Sequence, residues 1–364
     1  MELDSLYILN YRNIQQADLN FSARINCLVG SNGMGKTNIL DAIYYLSFCK
    51  SAWAQSDQMV IRHGQDCMMI RGTYDSSSVQ PVDISCTTRL HGRKQFKRQG
   101  KEYRKFSEHI GSIPLVMISP SDMELITGGS EDRRRFMDQV ISQYDKEYLN
   151  RLIEYNKALT QRNAMLKSDA EPSAELMSMW EAVMNMAAQK IHKSRCEFTD
   201  RLIPYFQELY SEIGVMQETV GLNYSSHMQR GSLLQQLEEG RARDRAAGYT
   251  LHGIHKDDLE MTLGGFPIRK EGSQGQNKSF LVALKLAQAV FMTEVCSGKK
   301  PLLLLDDLFD RLDSQRVSRI LKLVASERFG QTFITDTDRS HLDSVLSSIG
   351  QDYRLFTVSN GEVS

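Results

Sequence analysis

Two groups of residues near opposite ends of the chain could carry out phosphoryl chemistry together. Gly30-Ser31-Asn32-Gly33-Met34-Gly35-Lys36-Thr37 fits G-x-x-x-x-G-K-[ST]. Such a loop turns backbone N–H groups inward around phosphates, and the helix after it adds its positive end. Lys36 would meet the β- and γ-phosphates of ATP, and the Thr37 hydroxyl would ligate Mg²⁺. Leu302 to Leu305, followed by Asp306-Asp307, reads as a buried strand ending in two carboxylates. Two adjacent acids there are costly unless metal or donors neutralise them. Asp306 would hold Mg²⁺, directly or through water, and Asp307 would orient or deprotonate the attacking water.

These groups need elements to hold them. Ile25 to Val29 is an apolar run entering the glycine loop, and Asn38 to Ser47 reads as an amphipathic helix leaving it. Strand, loop and helix in that order form the context in which the motif carries meaning. Leu6 to Ile8, Ala17 to Phe21, Met68 to Tyr74, Val82 to Leu90 and Leu115 to Ile118 read as further strands. After the acidic strand come a helix near Ser314 to Ser326 and strands at Thr332 to Thr335 and Tyr353 to Val358. About 265 residues separate the glycine loop from the acidic strand, so a nucleotide-binding core is split around a large insert.

The insert is helical in pattern. From Glu131 to Lys167, apolar residues fall at Phe136, Val140, Tyr144, Tyr148, Leu152, Tyr155 and Leu159, one face of a single long helix. Ser168 to Ser173, with Pro172, breaks it. A second helix starts near Ala174, and Pro204 is expected to kink or end it. The tyrosines and methionines of these helices read as core. Leu259 to Leu263 suggests a strand. Ser273-Gln274-Gly275-Gln276 lies just before an apolar helix expected over Asn277 to Ser297 and reads as an anion site or as an ordinary N-cap.

Bulk properties bound the rest. The chain has 364 residues, enough for two domains, and a formal net charge of -1, so a nucleic-acid contact must come from a local basic surface. Cys27, Cys49, Cys67, Cys86, Cys196 and Cys296 form no C-x-x-C pair, which points to reduced thiols rather than zinc. With no signal peptide or membrane-length apolar run recognised, a cytoplasmic protein with no membrane partner is expected. Arg89 to Lys105 carries eight cations interleaved with Phe96 and Tyr103. It reads equally as a phosphate-binding stripe and as a solvated hairpin turning at Gln99-Gly100. Arg133-Arg134-Arg135 at a helix start implies structural carboxylate partners or phosphate. Arg241, Arg243 and Arg245 read as an exposed face, and His255 as a buried, hydrogen-bonded histidine.

Taken together, these residues resemble the RecF family of the ABC-type ATPase superfamily, which includes the SMC proteins. The resemblance covers nearly the whole chain. It rests on Asn10-Tyr11-Arg12-Asn13, the Gly30–Thr37 loop, Ser119-Pro120 with Gly128-Gly129 and Arg133-Arg134, His255-Lys256-Asp257-Asp258, Ser273–Gln276, and Asp306-Asp307 with Leu312-Asp313. The chain departs from the family at Ile254 and Lys256, where proline and arginine are usual. It also places Trp53 where an arginine is usual near Lys50-Ser51, and Lys50 would offer only a point charge.

The resemblance implies an α/β fold: an ABC-type P-loop ATPase head, a mixed sheet with helices, carrying an inserted α-helical hairpin domain. The ATPase domain would comprise 1–125 and 250–364, and the helical arm 126–249. It further implies an ATP-dependent homodimer in which Ser273, Gln274, Gly275 and Gln276 of one copy face the nucleotide held by the other. The activity would be slow, DNA-stimulated ATP hydrolysis acting as a switch. DNA would be bound at gaps or junctions, single- and double-stranded, with RecR and RecO as partners in repair and replication restart. An ABC transporter motor and an SMC-like chromosome tether are the alternatives. A salt-sensitive DNA shift would separate the first, and the short arms without sustained heptads argue against the second.

Overall fold

The computed structural model describes the chain apart from residues 76–79, 171–172, 215–217, 310–311 and 338–351. Pro172, expected as a breaker, lies outside the described residues. The chain divides into two compact units: Met1–Asp122, Leu209–Met216 and Lys278–Ser364 form one, and Met123–Glu208 with Gln217–Asn277 form the other.

The first unit contains two six-stranded sheets. One is antiparallel, in the order Ile14–Asn20, Leu3–Tyr11, Cys67–Tyr74, Val82–Arg89, Gln95–Arg98, Lys101–Glu102. The other runs Glu362–Val363, Tyr353–Ser359, Ile25–Val29, Thr332–Asp336, Leu302–Leu305, Leu115–Ile118, parallel except at its first pair. Every residue of Ile25–Val29 and of Leu302–Leu305 is buried, as expected of central strands in a parallel sheet covered on both faces. Helix Lys36–Phe48 follows the glycine loop. Its Ile39, Leu40, Ile43 and Leu46 share one buried cluster with Leu6 and Ile8 of the antiparallel sheet and Leu302, Leu304 and Phe333 of the parallel one. At roughly 1.5–3 kcal/mol per buried side chain, this cluster anchors the start of the helix against both sheets.

The second unit is helical with a three-stranded sheet, Phe266–Pro267, Asp258–Leu263, Val220–Ser225. It extends to Asn277, beyond the expected limit at 249, because Asp258–Leu263 pairs antiparallel with Val220–Ser225. The single helix expected over 131–167 is two, Ser130–Tyr144 and Lys146–Lys167. Asp145 interrupts them with an extended backbone, and its side chain accepts the Tyr148 N–H at 2.9 Å as an N-cap. The apolar spacing stays in phase across this cap, which hid it from the pattern. Helix Ala174–Ile213 runs 40 residues and continues through Pro204. A mid-helix proline costs ~3 kcal/mol. Phe198, Leu202 and Phe206 are buried on both sides of it and together outweigh that cost. Tyr148 and Tyr155 are core, but Met179 and Met186 are 46% and 62% exposed, so the methionines of this helix are only partly interior.

Buried charges tie the helices of this unit together. Arg162, fully buried, donates to Glu181 and Asp244 at 3.0 and 2.7 Å. Arg241 reaches Glu181 at 2.6 Å and so belongs to this network rather than to an exposed face. Arg245 donates to the carbonyls of Ser168 and Ala170. Arg133 holds Asp258 through two bonds of 2.6 and 2.9 Å, Arg134 donates to the Asp257 carbonyl, and Arg135 pairs with Glu131. The arginine triplet therefore has structural partners.

His255 is held on both ring nitrogens: Nε2 donates to the Thr250 carbonyl at 3.0 Å, so Nδ1 accepts the Tyr155 hydroxyl at 2.7 Å. Burial lowers its pKa to about 4. Because the folded value lies below that of an unfolded histidine, the unfolded chain binds the extra proton first as pH falls. Stability is therefore full above about pH 6.5 and is lost progressively toward pH 4, by ~3 kcal/mol at most from this group. Urea midpoints measured across that window should fall with pH, and less steeply in His255→Gln; an identical slope in the variant would contradict the assignment.

Candidate functional site

The glycine loop leaves Val29 and enters the helix at Lys36. Gly30 passes so close to the neighbouring strand that a Cβ there would lie 2.2 Å from the Val358 carbonyl oxygen, so no side chain fits. The N–H groups of Gly33, Gly35, Lys36 and Thr37 have no hydrogen-bond partner among the described residues, and the N-cap Gly35 supplies no side-chain acceptor. Four donors at a helix N-terminus, with open space around Gly33, form a cradle fitted to a phosphate. Buried Lys36 bends back across the loop and donates to the carbonyls of Gly30 and Ser31 at 2.6 and 3.2 Å.

Thr37 and Asp306, 269 positions apart, meet here. The Thr37 hydroxyl lies 2.9 and 3.1 Å from the two Asp306 carboxylate oxygens. Burial raises the Asp306 pKa, opposed by bonds from Thr335 and Thr37. A divalent cation would offset that desolvation, and a hydroxyl beside a carboxylate is a hard-oxygen pair that Mg²⁺ accepts. Asp307 follows with φ of 43°, a left-handed conformation uncommon outside glycine and often found at functional sites.

Residues outside the glycine loop and the acidic pair position both. Thr335 stands on the strand between the glycine-loop strand and the Asp306 strand. Its hydroxyl donates to Asp306 at 2.8 Å and accepts the Asp307 N–H at 2.9 Å, fixing both acids. The strand was legible, but its place between the other two was not. Asn13 donates to the Met34 carbonyl at 3.1 Å and accepts from Asn38 at 2.7 Å, clamping the loop to its helix. Asp41, fully buried one turn further along, accepts from Tyr11, Arg12, Ser51 and the Ala52 N–H. That network brings Arg12 and Ser51 together, and Trp53 N–H joins it through the Ser51 hydroxyl.

Ser273, Gln274, Gly275 and Gln276 lie in the second unit. The helix expected to begin at Asn277 begins at Gln274. Ser273 Oγ accepts the Gln276 N–H at 3.3 Å while Gln276 Oε1 accepts the Ser273 N–H at 2.7 Å. This reciprocal capping box stabilises the start, and it explains the earlier onset. Gln276 also donates to Glu218 at 2.7 Å. Ser273 and Gln274 are exposed. Asp313, after the acidic strand, caps helix Ser314–Val324 by accepting the Arg316 N–H at 2.9 Å. Among the described residues, no helix is long and apolar enough to cross a membrane.

The family model described as the RecF/RecN/SMC N terminal domain matches residues 2–363. "DNA replication and repair protein RecF" of Phocaeicola vulgatus is 56% identical over 364 residues, all of this chain and 98% of that protein. The solved structure of the recombination mediator protein RecF with ATP, in the RecFOR pathway, superposes with a TM-score of 0.88 at 28% identity, covering all of this chain and 97% of that one. An Smc head bound to the C-winged helix domain of ScpA shares the fold, with a TM-score of 0.62 at 15% identity over all of this chain and 96% of that one. The fold is thus the α/β head of ABC- and SMC-type ATPases with helical insertions, and the chain belongs to the RecF family within the RecF/RecN/SMC N-terminal domain family.

Proposed function

We propose that this chain is an ATP-driven DNA clamp of the recombination-mediator kind, acting in the cytoplasm at single-strand gaps in DNA repair and replication restart. The carrying observation is the convergence of Thr37 with both oxygens of Asp306 beside a loop of unpartnered N–H groups. ATP is bound by Gly30 through Thr37, with Lys36 on the β- and γ-phosphates and Mg²⁺ held by Thr37 and Asp306. Asp307 orients or deprotonates the water that attacks. Ser273 through Gln276 serve the nucleotide of a second copy, in trans; their exposed, pre-capped helix start offers N–H donors to a phosphate from outside the chain. Closure is a population shift, since the nucleotide bridges only the paired state, and slow DNA-stimulated hydrolysis reopens it. The RecFOR pathway named for the solved RecF structure supports RecR and RecO as partners. The ligand in this reading is gapped or junction DNA, single- and double-stranded.

The basic hairpin supports the DNA reading. Gln99 and Gly100 both have positive φ, 51° and 75°, a turn that fits a two-residue hairpin. Lys94 is taken up by Asp57 and the Cys49 carbonyl. Arg89, Arg93, Lys97, Arg98, Lys101, Arg104 and Lys105 have no ion pair among the described residues. DNA affinity should therefore fall steeply with salt. Each of these cations that contacts phosphate should lower the slope of log K against log salt by about 0.9 when replaced by alanine. Fluorescence anisotropy on gapped duplex with ATP measures this. Affinity flat with salt would overturn the DNA assignment, and an unchanged slope in Lys101→Ala/Arg104→Ala would move the contact off this hairpin.

A further inference from the structure

A cavity in the second unit gathers cations that no other feature of the fold explains. It has a volume of about 260 Å³ and is lined by Arg230, Gln236, Glu239, Gly240, Arg243 and His252. Arg230 and Arg243 have no partner among the described residues. The one carboxylate in the lining, Glu239, accepts from Gln235 at 2.8 Å. His252 lies against His227 with the two rings tilted by 48° and their centroids 5.5 Å apart. Burial, then Arg230 and His252, push the His227 pKa down, the mark of a positively biased site.

The lining is built rather than loose. Arg230 ends the short turn His227–Arg230, which a capping box between Ser226 and Gln229 fixes. Gly240 lies inside helix Leu233–Ala247, where glycine costs about 1 kcal/mol relative to alanine. Its compensation is proximity: a Cβ there would lie 3.2 Å from His252 Nδ1. That nitrogen is buried with no partner. The tautomer carrying its proton on Nε2 leaves no N–H buried and unpaired, so His252 is a donor through Nε2. His227 Nδ1 accepts the Gly253 N–H at 3.4 Å, which sets the same tautomer.

We infer that this cavity is a second anion site, distinct from the glycine loop, in which Arg230, Arg243 and His252 bind a phosphate group. Two guanidinium forks and one imidazole N–H supply only donors, which is the complement of a tetrahedral oxyanion. The phosphate is either free or part of a nucleic-acid backbone, since both present the same oxygens. The site does not depend on the nucleotide-driven pairing proposed above.

Histidine-labelled full-length protein, in a buffer free of phosphate and sulfonate, can be titrated with inorganic phosphate and, separately, with a short oligonucleotide. The ring signals of His252 are followed by NMR. A saturable His252 shift with phosphate is expected, weakened at least about tenfold for each of Arg230→Ala and Arg243→Ala and partly retained in Arg243→Lys. A shift with the oligonucleotide alone, lost in the double variant, assigns the ligand to nucleic-acid backbone. Both arginines are exposed, so the variants keep the fold, which unchanged signals from buried His109 would verify. A His252 signal that moves with neither titrant, or moves equally in the double variant, overturns the site.

Discussion

Lys36→Ala should reduce ATP-dependent turnover by on the order of 10²–10³, the usual loss when one charged stabiliser of a transferring group is removed. The lysine is 4% exposed and already lies against the Gly30 and Ser31 carbonyls. Its ammonium would exchange those acceptors for phosphate oxygens when nucleotide binds. Alanine removes the positive charge but leaves the N–H cradle. Residual nucleotide binding with failed turnover and failed pairing is therefore the expected pattern, read by nucleotide anisotropy and phosphate release. Full turnover in this variant would show that the loop is not the site of chemistry.

Ser273→Arg should separate binding from pairing. The wild-type serine is exposed and closes a capping box with Gln276, so the change places a long cation at a helix start. Loss of the cap costs about 1 kcal/mol, too little to unfold a chain of this size. The guanidinium would nevertheless fill the space a second copy's γ-phosphate must enter. ATP affinity of each chain should stay within about twofold, while ATP-dependent pairing is lost entirely. Undiminished pairing in Ser273→Arg would place the serine turn outside the shared site.

The glycine loop, the acidic strand and the serine turn were legible because each rests on local chemistry: glycines at a strand-to-helix junction, carboxylates ending an apolar run, a serine before a helix. Thr335 was not, because its importance depends on which strands neighbour one another, and strand order is a long-range property. The cap at Asp145 failed for another reason. Helical periodicity reports the buried face, and that face continues across the interruption. Pro204 does not end its helix, because proline's local cost is offset by the buried Phe198, Leu202 and Phe206 around it. Arg241 and Arg162 show the same limit for charge. Whether an arginine is solvated or locked against Glu181 depends on helices far apart in sequence.

In the proposed mechanism ATP joins two copies, each lending the other its serine turn. Sedimentation of Asp307→Asn, a variant chosen to stop turnover if Asp307 orients the attacking water, with saturating ATP and Mg²⁺ is the decisive test. A species of twice the 41.5 kDa chain is expected, reverting to single chains when ADP replaces ATP. A single chain that stays monomeric while fully loaded with ATP would contradict it.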